Sequence, residues 1–137
     1  MELTIYTDGG SLNNPGPAAS AYLIYRSGLL LHKQGVAIGV ATNNEAEYTA
    51  LIMALEKARD IITGSEVKIT SIKVISDSEL MIKQLNGLYK VKHAVMREKI
   101  MRVRVLEGEI NMPIVYTHVL RENNTEADAL VKKALGR

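Results

Sequence analysis

The chain opens with Leu3 and Ile5 alternating against Thr4 and Tyr6, the period of a half-buried strand, and the pattern breaks at Asp8-Gly9-Gly10. Asn13-Asn14-Pro15-Gly16-Pro17 follows, which is strong turn chemistry. Ala18 to Tyr25 and Leu29 to Ile38 read as two more strands, with Arg26-Ser27-Gly28 as the hairpin turn between them. Thr42-Asn43-Asn44-Glu45 opens a helix, because Thr42 and Glu45 stand at capping-box spacing. Leu51, Ala54, Leu55, Ala58, Ile61 and Ile62 then recur at helical period, with Gly64 just past the end. Ser71 to Ser76 is a short β-branched run and predicts a strand. A helix over Ser78 to Leu85 stops at Asn86-Gly87. Lys92 to Glu107 predicts a charged helix that turns Val95, Ile100, Val103 and Leu106 inward. Pro113 to Val119 reads as the last strand and Asn124 to Leu135 as the last helix.

Three strands before the first helix predict an antiparallel meander, and strands alternating with helices afterwards predict parallel additions. The fold class is therefore α/β: a mixed five-stranded sheet, three strands antiparallel and two parallel, with helices packed on both faces. A length of 137 residues fits a single domain spanning 1–137. No apolar run approaches the roughly 20 residues of a membrane span, and Met1-Glu2-Leu3-Thr4 does not begin a signal peptide. The expectation is a cytoplasmic protein with no membrane partner. The absence of Cys excludes disulfides, thiolate zinc sites and cysteine nucleophiles. A net charge of +2 neither demands nor forbids a nucleic-acid partner. Six Tyr are the only aromatics, too few to suggest base-stacking platforms.

Four acids change this picture. Asp8 and Asp77 each end a predicted strand, the edge where α/β sheets gather ligands. On parallel neighbouring strands they would start about 5 Å apart. Glu47 shares a helix face with Leu51, Ala54, Leu55 and Ala58, and Asp128 shares one with Val131 and Leu135. Taken singly, each has an ordinary reading: Asp77 as a helix cap, Asp8 as a turn residue, Glu47 as a charge favouring the helix dipole, Asp128 as a solvated position. Together they place four carboxylates where a core should be, with no basic residue able to pair with all four. A divalent cation resolves the conflict, and an all-oxygen ligand set favours Mg²⁺ or Mn²⁺.

The strings around these acids are Thr7-Asp8-Gly9-Gly10-Ser11 with Asn14-Pro15-Gly16, Thr42-Asn43-Asn44-Glu45-Ala46-Glu47, Ser76-Asp77-Ser78, and Asn124-Thr125-Glu126-Ala127-Asp128. In this order, with successive acids 39, 30 and 51 positions apart, they resemble ribonuclease H of the type 1 class over essentially the whole chain. The resemblance implies the ribonuclease H-like fold and hydrolysis of the RNA strand of RNA–DNA hybrids with two metal ions, leaving 5′-phosphate and 3′-hydroxyl ends. It implies Asp8, Glu47, Asp77 and Asp128 as catalytic metal ligands. It also implies that Ser11, Asn14, Thr42, Asn43 and Asn44 line the groove that receives the RNA strand, where reading 2′-hydroxyls tells RNA from DNA. On local grounds alone Asn14 is a turn residue and Asn43 a helix cap.

The well-known bacterial members carry an extra helix and basic loop where this chain has only Leu88-Tyr89-Lys90-Val91-Lys92-His93, so it resembles the compact archaeal and plant-like forms. Lys90 and Lys92 are the candidates for part of the phosphate footprint. Glu79, where some relatives have Gln, reads as a capping-box partner of Ser76. Two residues compete for the assisting role that a loop His has in bacterial members. His118 lies ten positions before Asp128, but strand alternation puts it with Ile114 and Tyr116, held inside the strand. Arg121, in the short loop before the last helix, is free to swing over the metals and matches compact members that place Arg there, so it is the preferred catalytic candidate. Alternatives are a broader nuclease that also cleaves duplex RNA, a non-catalytic nucleic-acid-binding module, and an integrase-like core. The intact acids argue against the module, and the Asn-Pro-Gly turn with the Asn43-Asn44 pair argues against the integrase. The chain is expected to act as a monomer.

Overall fold

The computed structural model describes residues Met1–Arg137 and contains every expected strand and helix in the expected order. The strands are β1 (Glu2–Ser11), β2 (Gly16–Arg26), β3 (Leu29–Ala41), β4 (Ser71–Ser76) and β5 (Ile114–His118); the helices are α1 (Asn43–Gly64), α2 (Glu79–Leu85), α3 (Ala94–Ile110) and α4 (Thr125–Ala134). The sheet order is β3-β2-β1-β4-β5. β1, β2 and β3 pair antiparallel, while β4 and β5 add in parallel.

The two sheet faces bury different chains of residues. Leu3 and Ile5 of β1, Ile24 of β2 and Val74 of β4 meet Leu51 and Leu55 of α1, with Val103 and Leu106 of α3 behind them. On the other face Ala19 and Ala21 of β2 receive Val131 of α4. The alternation of Ala21 with Tyr22 along β2 puts these two clusters on opposite sides.

Several boundaries differ from the sequence reading for identifiable reasons. β1 does not end at Asp8: β2 continues to pair with it through Asp8↔Ala21 to Ser11↔Ala18, so the acid lies inside an antiparallel ladder. It stands instead at the end of the parallel ladder, one residue past the last β1–β4 rung, Thr7↔Ser76. α1 runs through Gly64 and stops at Ser65. Ser78 caps α2 by accepting from the Met81 N–H, so Asp77 is not a cap. Glu79 does not pair back to Ser76; its carboxylate meets Lys83 Nζ at 2.6 Å, and Ser76 Oγ accepts from the Ser78 N–H. Val95 is exposed, because the inward stripe of α3 is Met96, Ile100, Val103, Leu106 and Ile110, at consistent helical spacing.

Candidate active site

Asp8 projects from β1 on the face of Thr4 and Tyr6, the side α4 covers. Glu47 arrives from the other layer, and its placement is set by how α1 begins. Thr42 Oγ1 accepts from the Glu45 N–H and the Glu45 carboxylate accepts from the Thr42 N–H, so the predicted capping box fixes where the helix starts. The first turn is then tied to the sheet. Ser20 Oγ of β2 donates to the Ala46 carbonyl at 2.7 Å, a buried bond, and Gly9 lies flat against the Ala46–Glu47 backbone. Asp77 follows β4 directly, across from Asp8.

Asp8, Glu47 and Asp77 converge: one carboxylate oxygen from each lies within 4.8 Å of the others. Asp8 is 6% exposed and Glu47 8%. Asp128, in the first turn of α4, stands outside this trio with Lys132 Nζ 2.9 Å from its carboxylate. It remains near enough to act on Asp8. Burial first, then the charges of Asp77 and Asp128, push the Asp8 carboxyl up to about 7, with the Gly9 N–H opposing. Burial drives Glu47 well above the usual carboxylate range, with Asp8 and Asp77 adding to it.

Glu47 Oε2 and Asp77 Oδ2 are buried without a hydrogen-bond partner. Arg121, which opens a 3₁₀ turn over Arg121–Asn123, brings Nε to 3.7 Å from Asp77 Oδ2, ion-pair range but too long for a hydrogen bond. The Arg121 side chain is otherwise exposed and does not neutralise the trio. Three converging carboxylates with unused buried oxygens fit a hard divalent cation bound through oxygen.

The predicted groove residues are linked to one another beside this cluster. Asn14 Oδ1 accepts from the Asn43 N–H at 2.9 Å, and Asn43 Oδ1 accepts from the Ser11 N–H at 2.8 Å and the Ser11 hydroxyl at 3.3 Å. Asn43 is therefore the first helical residue and not the cap, since Thr42 holds that place. With both amide oxygens engaged inside the protein, Asn14 and Asn43 keep their Nδ2 donors for a ligand, and Asn44 is exposed on the same turn. His118 is exposed, not held inside the strand. It ends an edge strand, beyond Tyr116, which fills the buried position on that face.

Gly9 and Ser20 seat the first turn of α1 on the sheet and Asn124 bonds to the Thr7 carbonyl, contacts that the sequence reading did not assign. A glycine pair inside a strand signals close backbone approach, and a serine within the apolar run Ala18–Tyr25 signals a buried bond. For Asn124 no such signal exists outside its motif.

A sequence profile of the RNase H family matches residues 1–136. The chain is 43% identical over 132 residues to "Ribonuclease HI" of Halobacterium salinarum, covering 95% of this chain and 62% of that protein. It is 36% identical over 137 residues to a "Bifunctional protein" of Mycobacterium tuberculosis, covering 98% of this chain and 36% of the other. The chain thus spans under two thirds of the length of both relatives. Among solved structures, LC11-RNase H1 in complex with an RNA/DNA hybrid superposes with a TM-score of 0.90 at 39% identity, over 98% of this chain and 96% of that one.

Proposed function

The chain belongs to the RNase H family, and from that premise we propose that it is a metal-dependent endoribonuclease that hydrolyses the RNA strand of RNA–DNA hybrids. The observation that carries this reading is the buried trio Asp8, Glu47 and Asp77, with two carboxylate oxygens unpartnered beside a rim of amide donors. The solved LC11-RNase H1 complex with an RNA/DNA hybrid supports the choice of substrate.

Asp8, Glu47 and Asp77 would hold the cations, Mg²⁺ or Mn²⁺, with Asp128 completing the set from α4. A pair of such ions supplies Lewis-acid activation of water and charge stabilisation at the leaving 3′ oxygen, giving 5′-phosphate and 3′-hydroxyl ends. The protein's own part is positioning. Burial keeps the acid oxygens desolvated and crowded, so that they favour a cation over water. The Nδ2 donors of Asn14 and Asn43, with Asn44, Ser11 and Thr42, receive the RNA strand through its 2′-hydroxyls and phosphates. Arg121 grips the scissile or departing phosphate, since a guanidinium stays charged at any working pH and binds phosphate in a fork. No helix is long and apolar enough to cross a membrane. We take residues 1–137 as one catalytic domain acting as a monomer in the cytoplasm.

The experiment is direct: incubate the protein with Mg²⁺ and labelled RNA–DNA, RNA–RNA and DNA–DNA duplexes. Cleavage confined to the RNA of the hybrid is expected. Equal cleavage of duplex RNA would support the broader nuclease, whose A-form substrate shares the hybrid's shape. Binding without cleavage would leave a non-catalytic module.

A further inference from the structure

Asn124 occupies the position before α4 where a helix cap belongs, and Asn is among the best capping residues. It does not cap: its side chain makes no bond to the first turn of the helix. Instead Nδ2 donates to the main-chain carbonyl of Thr7 at 2.8 Å, across 117 residues of sequence. The residue is 2% exposed, and its Oδ1 has no partner. A buried amide that forgoes a cap and leaves an acceptor unsatisfied costs stability, which makes the one bond it does form the feature to explain.

That bond reaches the peptide leading into Asp8. Thr7 carries the last rung of the β1–β4 ladder, and its carbonyl belongs to the peptide unit whose nitrogen is that of Asp8. At its other end, the Asn124 carbonyl accepts from the N–H of Asp128 at 3.1 Å. One residue therefore grips the backbone at two acids on separate elements. The rest of α4 is held by packing, with the Leu130 backbone seated closely against Gly35 of β3. Val131 packs among the small side chains of Ala19 and Ala21, and such apolar contact has no direction. The remaining polar tie, Tyr25 Oη to Glu126 Oε2, is exposed.

We propose that Asn124 is a positioning residue, the tie through which α4 holds Asp128 in fixed relation to Asp8 and so completes the cation site. The inference rests on the metal-dependent reading above. Asp128 lies outside the close trio, so its contribution depends on where the first turn of α4 is held.

The test uses the full chain. Binding of Mn²⁺ alone is measured by calorimetry, then kcat and KM on a labelled hybrid in Mg²⁺. Asn124→Ala is expected to weaken Mn²⁺ binding and lower kcat, each by about 10–100-fold, with KM little changed, as for groups that orient metal ligands. Asn124→Ser, too short to reach the Thr7 carbonyl, is expected to do the same and serves if the alanine variant fails to fold. Val131→Ala loosens α4 through its apolar contact and is expected to keep wild-type Mn²⁺ affinity at a comparable loss of Tm. Wild-type Mn²⁺ affinity and kcat in a folded Asn124 variant, or equal losses in Val131→Ala, would overturn the assignment. A wild-type protein that neither bound Mn²⁺ nor cut hybrids would overturn the functional reading itself.

Discussion

Gly9 of β1 lies against the backbone of Ala46 in α1 so closely that a Cβ on Gly9 would fall 2.5 Å from the Ala46 carbonyl oxygen and 2.5 Å from the Glu47 nitrogen. Backbone cannot give way as a side-chain tip can. The contact therefore decides how near Glu47 comes to Asp8, and it holds only while position 9 lacks a side chain. Gly9→Ala should lower stability by about 1–3 kcal/mol, the usual range for overpacking. It should reduce hybrid cleavage by more than that loss explains, because α1 must lift and carry Glu47 with it. Denaturant unfolding alongside rates at saturating Mg²⁺ checks this; unchanged activity would mean that Glu47 tolerates displacement.

Asp8→Asn should abolish cleavage in Mg²⁺ while the protein stays folded. The metal-free stability of the wild-type protein should change with pH in a defined sense. The Asp8 carboxyl is raised from 3.8 to about 7 in the native state. Between roughly pH 4 and 7 the native protein therefore holds a proton that the unfolded chain has released, and stability falls as pH rises through that window. Below it the stabilisation is complete, and above it the loss is complete. Glu47 shifts in the same direction and adds to the slope. In EDTA, the Tm of Asp8→Asn minus that of wild type should grow from pH 4 to pH 7 and then level off. A difference that shrinks over this range would contradict the repelling cluster.

What the sequence made legible follows from what its patterns encode. Period-2 and period-3.6 runs, a β-branched run and cap and turn signals located all nine regular elements, and the acids stood out because carboxylates on apolar faces need a reason. The misjudged details depend on contacts between distant segments. Asp8 looked like a strand end because Gly9-Gly10 reads as a turn, yet pairing with β2 carries the strand on to Ser11. His118 looked buried by alternation, but alternation says nothing about whether a strand lies at the sheet's edge or where the core stops. Asn43 looked like a cap because Asn caps well, while the neighbouring Thr42 with Glu45 closes a better box. The bond from Asn124 to Thr7 joins two ends of the chain and has no local signature.

Salt dependence should be shallow. The connector over residues 86–93 is short, and Lys90 and Lys92 are exposed on it. Each phosphate contact adds roughly −0.9 to the slope of log affinity against log salt on B-form DNA. Lys90→Ala/Lys92→Ala together should weaken hybrid binding at low salt and flatten the slope by about one to two contacts' worth. Fluorescence anisotropy from low to moderate salt reads both effects; an unchanged affinity at low salt would place both lysines in bulk solvent.

The assisting residue is the remaining test, and Arg121 and His118 can be separated by geometry. Arg121 Nε lies 3.7 Å from Asp77 Oδ2, at the rim of the acid trio, on a side chain that is 82% exposed and free to turn toward a phosphate. His118 is exposed at the end of β5. In the ladder it pairs with Ser76, at the edge of the sheet. Arg121 cannot shuttle a proton, so its contribution must come from holding phosphate charge. Arg121→Ala should then lower kcat on the hybrid by roughly tenfold or more, the size expected for removing one charged hydrogen-bonding partner of a transferring phosphate. His118→Ala should change it by less than threefold. Because Arg121 is exposed and its ion pair with Asp77 is long, Tm should move little in either variant. Arg121→Lys should restore only part of the rate, since an ammonium keeps the charge but loses the fork. A larger loss in His118→Ala than in Arg121→Ala, at equal Tm, would return the role to the histidine.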